Sequence, residues 1–242
     1  MLKKIISNIE ISSGIYKMVL EWEEKAFPGQ FIMLNCGGRT LLKRPMSICD
    51  IDKKILTIVY QLKGEGTKNL SKMKPGDSIE ITGPHGHGFD IFKNKKILIV
   101  GGGVGIPPLL YLTKELKSEK IYIALGFRSE IYLIDEFKKY GEVFIATEDG
   151  SHGKCGYVTD LIKDIIDDID IIYGCGPKPM LKALKEMAIK AKKPCQISVE
   201  ERMGCGIGAC MVCACKIKDK DNFHYKKVCK DGPVFWAEEV EI

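Results

Sequence analysis

No stretch of this 242-residue chain stays apolar for long enough to cross a bilayer. The longest candidate, residues 96–104, has the length of a strand, so no membrane role is expected. The opening residues Met1-Leu2-Lys3-Lys4-Ile5-Ile6 lack the long apolar core and small-residue cleavage site of a secretory leader. A basic patch is missing as well. The formal net charge is +5, but the lysines are scattered and runs such as Lys192-Lys193 are short. That pattern describes a solvated surface and argues against nucleic acid as a partner. Histidine is scarce, and His85, His87, His152 and His224 show no metal-ligand spacing. Ser47 has no histidine partner in a recognisable motif, so nucleophilic catalysis has no support. Internal repeats and low-complexity segments are absent.

What the chain does have is cysteine. Ten cysteines without a leader imply a reducing compartment, the cytoplasm, with thiols kept for metal or redox work. Five lie in the last 40 residues, and four of these, Cys205, Cys210, Cys213 and Cys229, read C-x4-C-x2-C, fifteen residues, C. This is the plant-type spacing of a 2Fe-2S cluster, which takes four thiolates on two irons. Glycines at 204, 206 and 208 would let backbone amides come close to the cluster sulfurs. Structural zinc sites usually use two C-x2-C pairs, which the x4 gap and the distant Cys229 fit poorly. Disulfides would need an oxidising compartment. Cys215 is a fifth thiol that the pattern does not need and reads as packed core. Cys36, Cys155 and Cys195 are scattered and read as inert, and Cys49 as core next to a candidate cofactor pocket.

At 45% hydrophobic residues the chain can build a sizeable core. Residues 1–92 read as β: runs at 14–22, 30–34, 55–61 and 78–82 alternate apolar and polar positions, and Pro28-Gly29, Cys36-Gly37-Gly38, Lys74-Pro75-Gly76-Asp77 and Gly83-Pro84 separate them. Short strands at this spacing predict a small antiparallel barrel, with His85-Gly86-His87-Gly88 as a loop at its end. Residues 93–195 alternate strand and helix, which predicts an open α/β sheet. Strands are expected at 97–100, 121–125, 143–146 and 169–173, and helices at 107–116, 131–140, 157–166 and 180–190. Residues 196–242 form a small cysteine-bearing lobe that ends in a compact tail, Pro233-Val234-Phe235-Trp236.

Two glycine turns follow apolar strands and open helices: Gly101-Gly102-Gly103-Val104-Gly105-Ile106-Pro107-Pro108 and Gly174-Cys175-Gly176-Pro177. Such turns let a backbone approach a pyrophosphate at a helix N-terminus, and turns at the carboxyl ends of parallel strands point into one crevice. Each alone is also what a tight strand–helix turn looks like. In the barrel half, Arg44-Pro45-Met46-Ser47 lies between two strands and offers an arginine and a hydroxyl to a phosphate or a flavin edge. Gly64-Glu65-Gly66-Thr67 opens a short helical turn whose amides suit a second phosphate. Arg128-Ser129 follows the second α/β strand, where an arginine can accommodate the 2′-phosphate of NADP or simply be exposed.

The order RPxS, GxGT, GGGxGIxP, GCGP resembles the ferredoxin–NADP reductase superfamily over residues 1–195. With Glu201-Arg202-Met203-Gly204-Cys205 and Val228-Cys229-Lys230-Asp231-Gly232-Pro233 added, essentially the whole chain resembles the electron-transfer subunits of dihydroorotate dehydrogenase B. The resemblance implies an antiparallel FAD-binding barrel at 1–92, an open α/β NAD-binding domain at 93–195 and a 2Fe-2S lobe at 196–242. It assigns FAD to Arg44, Pro45, Met46, Ser47, Val59, Tyr60, Gln61, Gly66 and Thr67. It assigns the nicotinamide nucleotide to Gly102, Gly103 and Gly105, with Gly174, Cys175 and Gly176 opposite. NAD is favoured on family grounds only. The implied partner is a flavin-containing dihydroorotate dehydrogenase catalytic subunit, in a hetero-oligomer that family resemblance makes a heterotetramer. The tail and the cluster lobe are expected near that partner.

The function implied is electron transfer between the partner and NAD through the cluster and FAD, in the orotate-forming step of pyrimidine biosynthesis. Nothing in the chain supplies a base for dihydroorotate. The alternative is an NAD(P)H reductase subunit serving ferredoxin, a hydrogenase or a sulfite reductase. The small subunits of NADH-dependent ferredoxin:NADP oxidoreductases look similar but tend to carry Asp at the first ligand position, here Cys205. A zinc-stabilised binding module without redox work is a third reading.

Overall fold

The computed structural model describes residues 1–38, 40–118, 120–219 and 222–242. Eight elements build the first half: β1 (Leu2–Ser12), β2 (Ile15–Glu21), β3 (Phe31–Leu34), β4 (Arg44–Ser47), β5 (Asp50–Asp52), β6 (Ile55–Gln61), α1 (Glu65–Ser71) and β7 (Ser78–His85). The strands form one antiparallel sheet in the order β4-β3-β7-β1-β2-β6-β5, and β4 meets β6 across its curl to make a barrel. Three strands escaped sequence reading. In β1 only Ile5 is buried, so its alternation is weak. The segment Arg44–Ser47 is itself a strand, not a link between strands. It pairs with β3 at Met33↔Pro45 and Leu34↔Arg44. Pro45 is tolerated because β4 is the sheet's edge, where a missing N–H breaks no ladder. β5 is only three residues long.

The second half is an open sheet. It runs β8 (Lys96–Gly102), α2 (Ile106–Glu115), β9 (Lys120–Phe127), α3 (Ile134–Phe137), β10 (Glu142–Thr147), β11 (Lys154–Cys155), β12 (Ile171–Cys175), α4 (Lys178–Lys190) and β13 (Cys195–Ser198). The lobe adds β14 (Ala214–Asp219), β15 (Asn222–Lys227) and β16 (Val234–Trp236). Strand order is β11-β10-β9-β8-β12-β13-β16, parallel except for β16. β8 is buried on both faces: Ile97 and Ile99 join one core, Leu98 and Val100 the other. That is why its sequence is a continuous apolar run.

Two expected helices fail. At 131–140 only Ile134–Phe137 is helical, because Leu133 is left-handed (φ 62°) and Tyr132 turns inward. At 157–166 there are two separate 3-10 turns, Val158–Asp160 and Ile166–Asp168. The Asp160 carboxylate accepts the Tyr157 N–H at 3.3 Å and closes its own turn, the local competition that keeps Asp out of helices. The apolar residues Val158, Ile162 and Ile166 still cover the sheet.

The C-terminal tail is not a free end. β16 returns from the lobe and pairs with β13, Phe235 opposite Ile197, with Val234 and Phe235 buried. The tail is thus an edge strand of the α/β sheet. The four residues of β3 are also buried on both sides. Ile32 and Leu34 fill the barrel, whereas Phe31 and Met33 enter the core shared with Cys213, Cys215 and Cys229. One barrel strand is therefore the wall against which the cysteine lobe packs. Among the described residues, no helix is long and apolar enough to cross a membrane.

Candidate cofactor sites

The two glycine turns meet backbone to backbone. β8 and β12 are neighbours, so their carboxyl ends, Gly101-Gly102 and Gly174-Cys175, lie side by side. A Cβ on Gly105 would stand 2.5 Å from the Cys175 carbonyl carbon and the Gly176 nitrogen, so only glycine allows this approach. Gly102 abuts Met180 and Pro177 of the second turn. The first turn ends at the N-terminus of α2, and β6 packs against it from the barrel. Of the six residues assigned to the nucleotide, Gly102, Gly103, Gly105, Cys175 and Gly176 gather here. Gly174 lies within β12, its missing Cβ facing Leu184 of α4 at 2.5 Å, where it serves strand–helix packing. Burial pushes the Cys175 thiol up to about 12, against a hydrogen bond from the Ser198 side chain.

The barrel residues gather next. Gly66 sits against Arg44, its Cβ position 3.3 Å from Nε, so RPMS and GEGT form one surface. Arg44 donates through Nη1 to the Leu42 carbonyl at 3.0 Å. Thr67 Oγ1 accepts the N–H groups of Lys63 and Gly64 at 2.9 and 3.2 Å, which fixes the start of α1. Tyr60 points into the barrel, stacked on Tyr16, and its hydroxyl donates to Asn8 Oδ1 at 3.0 Å. Burial pushes that phenol above its ordinary range. Val59 points the other way, toward the α/β core, and Gln61 is exposed.

A cavity of about 680 Å³ opens beside β4, lined by Lys43, Arg44 and Pro45 on one side and by Glu201, Arg202 and Met203 on the other. Sequence reading missed the second wall, which has no motif beyond its position ahead of Cys205. Glu201 also pairs with Lys178, the first residue of α4, at 2.5 Å. Half-exposed, that pair adds little stability; it places the nucleotide turns, the β4 cavity and the cysteine loop within one side chain's reach of each other.

The cysteines lie as two pairs. Cys205 and Cys210 have sulfurs 3.3 Å apart, and Cys229 N–H points at Cys213 Sγ, 3.5 Å away. Gly208 N–H donates to Cys229 Sγ at 3.2 Å and Cys210 N–H to Cys205 Sγ at 3.4 Å. All four thiols are free. Among the described residues, no three His, Cys, Asp or Glu side chains could share one ion. Two pairs with amides aimed at sulfur fit a binuclear cluster, two thiolates per iron. Backbone hydrogen bonds, first from Cys210 and then from Ile207, hold Cys205 down at about 6. Burial pushes Cys229 up to about 12. Gly206 has φ 71° and a Cβ there would lie 2.8 Å from Met33, so the loop is seated on β3. Met33 is the residue that joins the two sites. A four-residue, wholly apolar strand was the available signal that both its faces are buried.

Two further cysteines lie in the core as expected. Cys215 and Cys49 are buried core, and burial pushes Cys215 up to about 11. Cys155 is exposed. His87 ties the barrel-end loop to the lobe, with Nδ1 2.7 Å from the Lys230 carbonyl.

Residues 200–241 match the family model of the iron–sulfur cluster binding domain of dihydroorotate dehydrogenase B. A protein of Caldanaerobacter subterraneus subsp. tengcongensis named dihydroorotate dehydrogenase B (NAD(+)), electron transfer subunit, is 58% identical over 238 residues, 98% of this chain and 96% of its own length. Its namesake in Geobacillus sp. (strain WCH70) is 42% identical over 252 residues, with 98% and 97% covered. Among solved structures, a chain of an NADH-dependent reduced ferredoxin–NADP oxidoreductase is 27% identical with TM-score 0.86, covering all of this chain and 90% of that one. The ferredoxin–NADP+ reductase of Plasmodium falciparum, 18% identical with TM-score 0.64 over 78% of this chain and 90% of that one, shares the fold. On these identities and on two thiol pairs seated against a reductase barrel, the chain belongs to the family of electron transfer subunits of NAD-dependent dihydroorotate dehydrogenase B.

Proposed function

We propose that this chain carries electrons between a dihydroorotate-oxidising catalytic subunit and NAD, and that its three units divide the work. Residues 1–92 hold FAD, residues 93–195 the dinucleotide and residues 196–242 the cluster. The observation that carries the reading is the Lys178–Glu201 contact, because Glu201 lines the β4 cavity, precedes the ligand loop and touches the helix that opens at the second glycine turn. Held at these places, FAD, the nicotinamide and the cluster would supply hydride and single-electron transfer, while the chain's residues set their positions.

The chain's residues bind, orient and seal. Arg44 offers a charged fork to a flavin phosphate, backed by Gly66 and Thr67. Pro45, Met46 and Ser47 present an edge strand along the isoalloxazine, with Val59, Tyr60 and Gln61 at the strand running toward Gly66. Gly102, Gly103 and Gly105 take the pyrophosphate opposite Cys175 and Gly176, with Gly174 packed behind them against α4. Cys205 with Cys210 and Cys213 with Cys229 each grip one iron. Ile207, Met211 and Val212 are 62%, 57% and 57% exposed around these ligands, an apolar patch suited to the catalytic subunit. The assembly is a heterotetramer in the cytoplasm, a setting that ten unpaired cysteines support.

Purified holoprotein should contain about one FAD and one 2Fe-2S cluster per chain, since each motif set forms one site. It should reduce ferricyanide with NADH and leave dihydroorotate untouched. Adding the flavin-bearing catalytic subunit should restore NAD-linked orotate formation. Dihydroorotate oxidation by the rigorously purified single chain would refute the division of labour.

A further inference from the structure

The turn Gly103–Gly105 is held from outside by one side chain. Tyr132, in the loop between β9 and α3, is 8% exposed and packs edge-on against Phe127, centroids 5.3 Å apart. Its hydroxyl donates to the Gly103 carbonyl at 2.7 Å. The same carbonyl accepts the N–H of Ile106, so two donors fix the peptide between Gly103 and Val104. A trans peptide points its C=O and the following N–H in opposite directions. With the Gly103 carbonyl pinned toward Tyr132, the Val104 N–H faces away from it, and Val104 is 39% exposed. Gly103 has no side chain to resist rotation: φ is 51° and nothing lies within 4 Å of the position a Cβ would take. Such a residue turns freely unless something ties it. The left-handed Leu133 is what brings the Tyr132 ring inward instead of into a helix.

We propose that Tyr132 is a positioning residue for the dinucleotide: its hydroxyl sets the Gly103–Val104 peptide so that the turn's amide faces the pyrophosphate. This rests on the reading that the glycine turns take that pyrophosphate. Among the described residues, the Tyr132 hydroxyl bonds the Gly103 carbonyl and neither β4 nor the cysteine loop, so loss of this hydroxyl alone falls on nucleotide binding.

The test is Tyr132→Phe in the holoprotein, which keeps the buried ring and removes only the donor. Calorimetry should show the Kd for ADP-ribose rising roughly two- to tenfold, the change that loss of one neutral hydrogen bond produces. The KM for NADH should rise alike. The kcat with ferricyanide and the Kd for AMP, which lacks the pyrophosphate, should stay as in the unaltered protein. Hydrogen exchange at Val104 should accelerate. Unchanged ADP-ribose binding in the variant, or equal weakening of AMP and ADP-ribose, overturns the inference while leaving the nucleotide site standing. Failure of the unaltered holoprotein to bind ADP-ribose overturns the site itself, and the inference with it.

Discussion

Cys215 and Cys229 are both buried, and burial pushes both thiols up, to about 11 and about 12. Accessibility alone would not separate a ligand from a core residue. The backbone does: Gly208 N–H is aimed at Cys229 Sγ, while Cys215 lies on β14 paired with Lys226 and faces the core. Serine at Cys229 should therefore abolish the cluster, and serine at Cys215 should leave iron content and the reduced-state EPR signal nearly intact. Loss of signal at Cys215 with retention at Cys229 would reverse the assignment. Gly206 carries a sharper constraint, since an alanine there meets both a positive φ and the Met33 side chain at 2.8 Å. Gly206→Ala should cost about 1–3 kcal/mol and lower cluster occupancy while FAD content is preserved. Met33→Ala in the same chain should recover part of the occupancy by making room, which iron and sulfide analysis would read.

At the scale of elements, the proposed nucleotide site lies where two carboxyl ends meet. The turns after β8 and β12 touch through Gly105 and the Cys175–Gly176 peptide, with no side chain between them. Gly105→Ala should force them apart, costing about 1–3 kcal/mol as overpacked cores do, and should raise the KM for NADH with little change in FAD content. The ends of β9 and β10 lie where the other half of the proposed nucleotide would reach. A cavity of about 390 Å³ there is lined by Ser129, Glu130, Asp149, Ser151 and His152. Hydrogen bonds from Ser151 hold the Asp149 carboxyl below its ordinary range, so it is charged at neutral pH. Two carboxylates in that cavity oppose a 2′-phosphate, despite the nearby Arg128. NADH should reduce the flavin faster than NADPH at equal concentration, in stopped flow, and Arg128→Ala should not alter the order. Faster reduction by NADPH, lost in Arg128→Ala, would mean that Arg128 holds the phosphate after all.

On the scale of the whole molecule, the barrel and the α/β sheet are tied at their seam. Tyr111 donates to the Ala26 carbonyl at 3.0 Å, Lys114 pairs with Asp50 at 2.9 Å, and Gln196 binds Asp90 on the linker at 2.6 Å. The exposed rim of the cysteine loop is the proposed docking surface for the partner. Charge placed on that rim should act on association alone. Met211→Glu should weaken binding of the catalytic subunit at least tenfold, about 1.4 kcal/mol, with the cluster's EPR signal retained as the check on the loop. Unchanged affinity would move the docking surface elsewhere.

Local chemistry determined much of this without a fold. Ligand spacing depends on covalent distance along the chain, so Cys205, Cys210, Cys213 and Cys229 were legible as a set. Glycine turns after apolar strands, and the alternation of strand with helix from residue 93 on, are local too. Tertiary structure alone decided the rest. Helix periodicity at 131–140 and 157–166 lost to a left-handed Leu133 and to Asp160 closing its own turn. The tail became a sheet strand because the β13 edge offered it unpaired hydrogen bonds. Met33 against Gly206, Glu201 against Lys178 and Tyr132 on Gly103 join residues 23 or more apart in sequence. Such contacts form only once the core is packed, and no spacing along the chain encodes them.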